Sequence, residues 1–297
     1  MITPQQLIQR NKGLGASDIS IILGFNPWRS ERDLWAVKTN RVSTDDTSSE
    51  AAYIGSMLEP AILKLAAEKI GLPVHAPKST FVRGILRANV DGMVQGSRKG
   101  ATIVEAKLTS ITEGWGSDMS DEIPYAVWLQ VQTQMLCAES QLAYVARLST
   151  TFGAKFTLHP ITFDAAFAAS IEATATAWWE RHVIADEEPL GTMNVDTIGR
   201  MTRINGKSIV IDQLLVQAER AAHAAKSIAE ELHEEARSQL LAAMGDAEYA
   251  TTEDGSTVKY TEVKSKRLDG KALTAAHPDI ALQFQSESSY RKLVVKA

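Results

Sequence analysis

The spacing of apolar residues along the chain predicts strands first and helices later. From Thr80 to Val94 (TFVRGILRANVDGMV) β-formers dominate, and Ala101 to Leu108 (ATIVEAKL) opens on an apolar, β-branched stretch. Between them, Gln95-Gly-Ser-Arg-Lys-Gly100 holds two glycines and two cations, the composition of a hairpin connection. Two neighbouring strands are expected here. Strand alternation then sends Ile103, Glu105 and Lys107 to one face and Val104, Ala106 and Leu108 to the other. Pro124 to Glu139 reads as a helix with Val127, Val131 and Met135 as its apolar stripe. Leu142 to Leu148 and Lys155 to Phe163 alternate as two further strands, with Thr150 to Ala154 as the turn. Asp164 to Ala185 reads as a helix capped by Asp164. Its Trp178 and Trp179 point about 100° apart, which favours packing over base stacking.

Residues 186–207 (DEEPLGTMNVDTIGRMTRINGK) are polar and without clear period, and mark a boundary. Beyond it, Ser208 to Met244 is a long helix-forming stretch with Leu214, Ala218, Ala221, Ala225, Ile228, Leu232 and Ala236 at spacings of three and four. That pattern suggests a helical arm or coiled-coil segment with an acidic outer face. Residues 246–263 read as a β-hairpin turning at Glu253-Asp-Gly255. Lys264-Ser-Lys-Arg267 is read as a solvated strand edge, and Lys271 to Ala297 as a helix, a linker and a strand ending at Val295. The expected architecture is α/β: a core with a central mixed sheet flanked by helices over residues 1–185, then a mainly helical region with a small β-hairpin over residues 186–297.

Composition narrows the class. The chain has 297 residues, 44% of them hydrophobic, which suits one large domain with an appendage or two domains and lies far from the disordered range. No apolar run approaches the ~20 residues needed to span a bilayer. MITPQQLIQRNK has no signal-peptide apolar region. A cytoplasmic protein with no membrane partner is expected. The single cysteine, Cys137, excludes an intrachain disulfide and any cysteine-held iron-sulfur or zinc cluster. The net charge of −5 hides an asymmetry: residues 1–112 carry 14 Lys+Arg against 10 Asp+Glu, and residues 113–297 carry 17 against 26. The first half has the cationic surplus that a surface contacting a polyanion requires.

That half also holds the candidate chemistry. Asp91-Gly92 is followed by Glu105-Ala-Lys107, and the alternation places Glu105 and Lys107 on one side. Carboxylate oxygens suit a hard divalent cation, which polarises a phosphodiester and generates hydroxide, while a neighbouring lysine orients the water or stabilises developing charge. The plainer reading makes Asp91-Gly92 a turn and Glu105-Ala-Lys107 a surface strand edge. A second candidate lies at residues 13–18, a glycine-rich loop running into the apolar run Ile19 to Leu23. Backbone N–H groups, the Ser17 hydroxyl and the Arg10 guanidinium together make a phosphate site. Here the plainer reading is Ser17 as a helix cap.

Several motifs fall in one order: Gly13-Leu-Gly-Ala-Ser-Asp18, Ile22-Leu-Gly-Phe-Asn-Pro-Trp28, Gly55-Ser-Met-Leu-Glu-Pro60, Asn89-Val-Asp-Gly92, Glu105-Ala-Lys107 and Leu129-Gln-Val-Gln132. Over about residues 8–150 this order resembles the YqaJ-type viral recombinase family, phage exonucleases related to lambda exonuclease within the PD-(D/E)xK superfamily. Val90 stands where the superfamily name has proline, which is not a ligand. The resemblance implies a restriction-endonuclease-like core. It implies that Asp91 and Glu105 bind metal with Glu59 as a further acid, that Lys107 is the catalytic lysine, and that Gln130 points into the active site. Without it, Glu59 and Gln130 would be ordinary solvated helix residues. It implies further that Arg10 and Ser17 grip a 5′-terminal phosphate, with Arg29 adding to the grip.

The activity so implied is 5′-to-3′ exonuclease action on double-stranded DNA ends, leaving a 3′ single strand for phage-type recombination. The cofactor would be Mg²⁺, replaceable by Mn²⁺, as two ions. The assembly would be a homotrimeric ring, with a single-strand annealing protein as partner. Two alternatives remain at this point: an endonuclease or repair nuclease on the same scaffold, and a non-catalytic DNA-binding or assembly protein.

Overall fold

Strand pairing decides where the chemistry-bearing residues meet. The computed structural model describes residues 12–42, 50–96, 101–151, 153–265 and 269–284, together with Leu293 and Val295. The chain divides into two compact units, Met1–Arg203 and Ile204–Ala297. The first contains, in chain order, β1 (Leu14–Gly15), a 3₁₀ turn (Ala16–Asp18), α1 (Ile19–Ile22), α2 (Glu31–Lys38), α3 (Glu50–Ile70), β2 (Val74–His75), β3 (Phe81–Arg83), β4 (Leu86–Ala88), β5 (Gly92–Val94) and β6 (Thr102–Thr109). There follow α4 (Tyr125–Ala138), β7 (Leu142–Ser149), β8 (Lys155–Thr162), α5 (Ala165–Trp178), a π-helical turn (Trp179–Ile184) and α6 (Val195–Arg200).

Five strands form the central sheet in the order β2-β5-β6-β7-β8. β6 and β7 run parallel, with Glu105 opposite Val145 and Lys107 opposite Arg147, and the other neighbours are antiparallel. A parallel pair needs a crossover, and α4 supplies it. One face of the sheet meets α3, where Ile62, Leu63 and Ala66 pack with Val94, Val104, Ala146 and Leu158. The opposite face meets α4, where Val131 and Met135 pack with Val90, Ile103, Ala143, Val145 and Ile161. Val104 and Ile103 are adjacent and belong to different clusters, as period-two alternation demands. The apolar stripe expected on α4 is therefore its core face. A smaller sheet, β1-β4-β3, joins α1, α2 and α5 in a third cluster with Leu14, Leu34, Trp35, Leu86, Ile171 and Trp178.

The expected strand pair is present, since β5 and β6 pair antiparallel. The run Thr80 to Val94, however, is three short strands shared by two sheets. Gly84 takes a positive φ of 53° and folds β3 back on β4, a conformation that side-chain-bearing residues disfavour. The expected loop Gln95 to Gly100 is described only to Gly96, and Arg98 and Lys99 lie outside the described residues. The helix expected to run to Ala185 changes to a π turn at Trp179. Trp178 is buried and donates its indole N–H to Glu31 at 2.9 Å, so it packs.

The first unit also continues past the boundary expected at residue 185. Asp186 pairs with Arg41 at 2.7 Å, Glu188 with Arg32 at 2.6 Å, and the Asn194 N–H donates to Asp33 at 2.8 Å. These polar side chains turn a segment without periodicity into a strap over α2.

In the second unit, α7 (Gln213–Met244) begins at Asp212, whose side chain accepts from the Leu214 N–H. Leu214, Ile228 and Leu232 on this helix are exposed among the described residues. β9 (Tyr249–Thr251) and β10 (Thr257–Lys259) form the expected antiparallel hairpin. The helix expected from Lys271 is two short ones, α8 (Gly270–Ala276) and α9 (Pro278–Gln283). Proline at position 278 starts the second and cannot continue the first. The strand expected to end at Val295 falls largely outside the described residues.

One buried ion pair holds the 13–18 loop. Lys38 at the end of α2 lies 2.8 Å from Asp18, their side chains 3% and 4% exposed, and its Nζ also donates to the Gly13 carbonyl at 2.8 Å. Asp18 accepts from the Gly15 N–H at 2.8 Å. Removing one partner takes the paired opposite charge from a group buried in the core. We expect Asp18→Ala to lower unfolding free energy by about 3–5 kcal/mol and the double variant with Lys38→Met to recover part of that loss in urea titrations. Equal loss in the single and double variants would show that the pair itself matters little.

Candidate active site

Glu105 and Lys107 leave β6 on the α4 side of the sheet, and the two side chains touch: Lys107 Nζ lies 2.6 Å from Glu105 Oε1. Lys107 also donates to Gln130 Oε1 at 2.9 Å, and Gln130 Nε2 donates to Glu105 Oε1 at 2.7 Å. One helical turn on, Gln134 Nε2 donates to Glu105 Oε2 at 2.7 Å and to the Asn89 carbonyl at 3.0 Å. Glu105 is only 4% exposed, so these three donors take over from water in holding its charge. A carboxylate offers about four lone-pair sites, so about one is left for a further partner.

Asp91 immediately precedes β5. Its Oδ2 accepts from the Ala106 N–H at 2.8 Å, which ties it to β6 beyond the last β5 pairing. Burial, and then the charge of Glu105, pushes the Asp91 carboxyl well above the ordinary aspartate range, with Glu59 adding to the effect. The Ala106 N–H and Lys107 act in the other direction and are outweighed. Gly92 is not part of a turn. A Cβ there would stand 2.6 Å from Val74 Cγ1 and 2.9 Å from Leu63 Cδ2, so only glycine lets β5 lie close under α3 and bring Asp91 to β6.

Glu59 projects from α3, the helix on the other face. Burial raises its pKa, and the charge of Glu105 adds to the rise. It is coupled to the site by charge. Among the described residues, no three acidic, histidine or cysteine groups converge closely enough to hold a metal ion as folded. Asp91 and Glu105 are the acids that the strands bring together. Their hard oxygens, and the closeness of the two acids that lets the Glu105 charge act on Asp91, fit a divalent cation.

Lys107 is held in its charged form. Burial pulls its pKa down, but the charge and hydrogen bond of Glu105, with Asp91 behind, outweigh that and leave it raised. It therefore offers a fixed positive charge rather than a base. Its register partner Arg147 sits beside it on β7, buried, donating to the Ile111 carbonyl at 2.9 Å and lying 4.7 Å from the Trp115 ring centroid. Burial alone pulls the Arg147 pKa down. Cys137 is no nucleophile, because burial pushes its thiol up to about 12.

Of the residues singled out from sequence, the structure gathers Asp91, Glu105, Lys107 and Gln130 and couples Glu59 to them. Ser17 lies inside the 3₁₀ turn and not at a helix cap, because that turn is closed by Asp18 accepting from Gly15. The turn packs against α4. Arg29 is exposed, its N–H bonded to Asn26 Oδ1 at 2.9 Å, and it lines a cavity of about 430 Å³ with Trp28 and Asn194. Arg10 lies outside the described residues. Sequence reading missed Gln134 and Arg147. The four-residue spacing of Gln130 and Gln134 was the available signal for the first. Gln132 between them faces elsewhere, donating to the Thr162 carbonyl and accepting from the Asp164 N–H.

Residues 7–141 match the YqaJ-like viral recombinase domain. The chain is 30% identical over 311 residues to the protein YqaJ of Bacillus subtilis (strain 168), an alignment spanning 100% of this chain and 95% of that one. Among solved structures, an alkaline exonuclease from Laribacter hongkongensis aligns with a TM-score of 0.50 and 19% identity, covering 62% of this chain and 94% of that one. A phage related exonuclease from Haemophilus somnus 129PT aligns at 0.46 and 12% identity, covering 59% and 96%. The Laribacter enzyme and this chain share a fold. Among the described residues, no helix is long and apolar enough to cross a membrane.

The raised pKa of Asp91 has a thermodynamic consequence. The native state holds this proton more tightly than the unfolded chain, so the stabilising contribution is complete below the ordinary aspartate value of ~3.9 and is lost as pH rises through the folded value. Above that, the ionised group weighs on the fold. In metal-free buffer at pH 8, Asp91→Asn should raise the urea midpoint, and the gain should disappear near pH 3. Identical midpoints at pH 8 would mean that Asp91 ionises in the fold at no cost.

Proposed function

Because the chain belongs to the YqaJ-like viral recombinase family, we propose that it is a divalent-metal-dependent DNA exonuclease that degrades one strand from a 5′ end and leaves a 3′ single strand for recombination. The observation that carries the reading is the cluster itself: Asp91 and Glu105, brought together by β5 and β6, with Lys107 in contact with Glu105 and Gln130. Asp91 and Glu105 would hold Mg²⁺ or Mn²⁺, as one ion or two, with Glu59 adding negative charge from α3. Such a cation, when bound, polarises the scissile phosphate and lowers the pKa of its water.

The chain's own groups do the rest. Lys107, kept cationic by Glu105, stabilises negative charge as it builds on the phosphate and orients the attacking water. Gln130 fixes the Lys107 ammonium in place by accepting from it. Glu105 keeps its carboxylate orientation through two amide donors, so no reorganisation is needed during the reaction. Ser17 and Arg10 would take the terminal 5′-phosphate, a role supported by the turn at Ser17 lying against the same helix that presents Gln130. Arg29 would add a cation to that subsite. The division into a nuclease core and a mainly helical C-terminal region belongs to the same reading, as does an annealing protein acting on the product strand.

With Mg²⁺, end-labelled linear duplex should be degraded while covalently closed circular duplex stays intact. Lys107→Ala should reduce turnover on the order of 10²-fold or more. A 5′-phosphate should speed digestion over a 5′-hydroxyl, and Ser17→Ala should narrow that difference. Nicking of the circle would select the endonuclease alternative, and no cleavage of either form would select the DNA-binding one.

A ring of three subunits is supported by the charge asymmetry, since such a ring could line its channel with the cationic first half and turn the acidic second half outward. Light scattering should then give a mass near three times 32.4 kDa. A single-chain mass across concentrations would remove the ring.

A further inference from the structure

Gln134 is buried to 1% exposure on α4, and its one amide nitrogen serves two elements: Glu105 Oε2 on β6 at 2.7 Å, and the carbonyl of Asn89, two residues before Asp91, at 3.0 Å. Its amide oxygen is buried with no hydrogen-bond partner among the described residues. Leaving such an acceptor bare is destabilising, so stability alone does not explain a glutamine here. A leucine or methionine would complete the neighbouring core, where Val131 and Met135 already pack against Ile103 and Val145. What the glutamine supplies is two donor hydrogens aimed at the two acid-bearing segments.

Gln130 cannot substitute for it. Gln130 donates to Glu105 Oε1 and accepts from Lys107, so it orients the lysine and one carboxylate oxygen. The other oxygen, and the link to the Asn89–Asp91 segment, depend on Gln134. With Gln130 removed, Lys107 still holds Oε1. With Gln134 removed, no other donor is seen on Oε2 among the described residues, and the carboxylate is held through Oε1 alone, by Lys107 and Gln130.

We propose that Gln134 is a positioning residue for the proposed nuclease reaction: it sets the rotation of the Glu105 carboxylate and its separation from Asp91, and so the affinity of the acid pair for a divalent cation. This rests on the reading of Asp91 and Glu105 as the metal-holding acids. Partners that orient metal-ligating groups are worth 10–100-fold in metal affinity or activity.

The test compares wild type, Gln134→Met and Gln134→Asn by Mn²⁺ calorimetry on the full chain without DNA, by kcat and KM on linear duplex, and by thermal melting. Methionine keeps the volume and removes the donor. Asparagine keeps an amide in the pocket and retracts it by one methylene, so a folded variant is available if methionine disturbs the core. Both should weaken Mn²⁺ binding and lower kcat on the order of 10-fold or more, leaving KM for DNA within about twofold and melting little changed. A fall in melting temperature with Mn²⁺ affinity and kcat unchanged would make Gln134 a structural residue and overturn the proposal. A change in KM alone would overturn it as well. Wild-type protein that neither binds Mn²⁺ nor cuts DNA would overturn the functional reading before any variant is compared.

Discussion

A buried negative charge in the middle of a sheet is the constraint on which the rest of this unit depends. Glu105 is 4% exposed and follows the fully buried Ile103 and Val104 on its strand. A carboxylate so placed is tolerable only with donors around it. They come from Lys107 on the same strand and from Gln130 and Gln134 on the crossover helix. The parallel pairing of β6 with β7 requires that crossover, and the crossover delivers the two glutamines. Fold topology and charge compensation are thus one arrangement.

Asp91 is treated differently. It has one backbone N–H against the loss of water and the repulsion of Glu105, and its carboxyl is pushed well above its ordinary range. Two neighbouring acids in one site, one well supplied with donors and one poorly, form a place where positive charge is missing. The local packing enforces this: Gly92, without room for a Cβ beside Leu63 and Val74, keeps Asp91 close to Glu105. A fold selected for stability alone would separate them. On the function proposed above, a cation held by the two acids would relieve that strain.

The strand that bears Glu105 and Lys107, the helix that bears Gln130, and β7 and β8 were all legible from periodicity, because each buries an apolar face with period two or near 3.6. The Thr80 to Val94 run was not legible in detail. Its composition is uniformly β-forming, and only the positive φ at Gly84 and the pairing of β4 with β1 reveal three strands in two sheets. Residues 186–202 lack periodicity because they are fastened by ion pairs and a hydrogen bond to α2 and the segment after it, and such contacts leave no pattern in sequence.

For the site, the sequence by itself determined the residue types, the shared face of Glu105 and Lys107, and the family they belong to, because strand alternation and motif order are local properties of the chain. Which acid would be buried with which donors was decided by tertiary structure. Gln130, Gln132 and Gln134 look equivalent on paper, yet two hold Glu105 and the third secures the start of α5. Asp91-Gly92 reads equally well as a turn, and only the close approach of α3 and β2 makes it the start of a strand. Pairing between strands distant in sequence, and the direction in which a helix crosses them, fixed those roles, since a pKa or a carboxylate's partners depend on neighbours in space that no local pattern specifies.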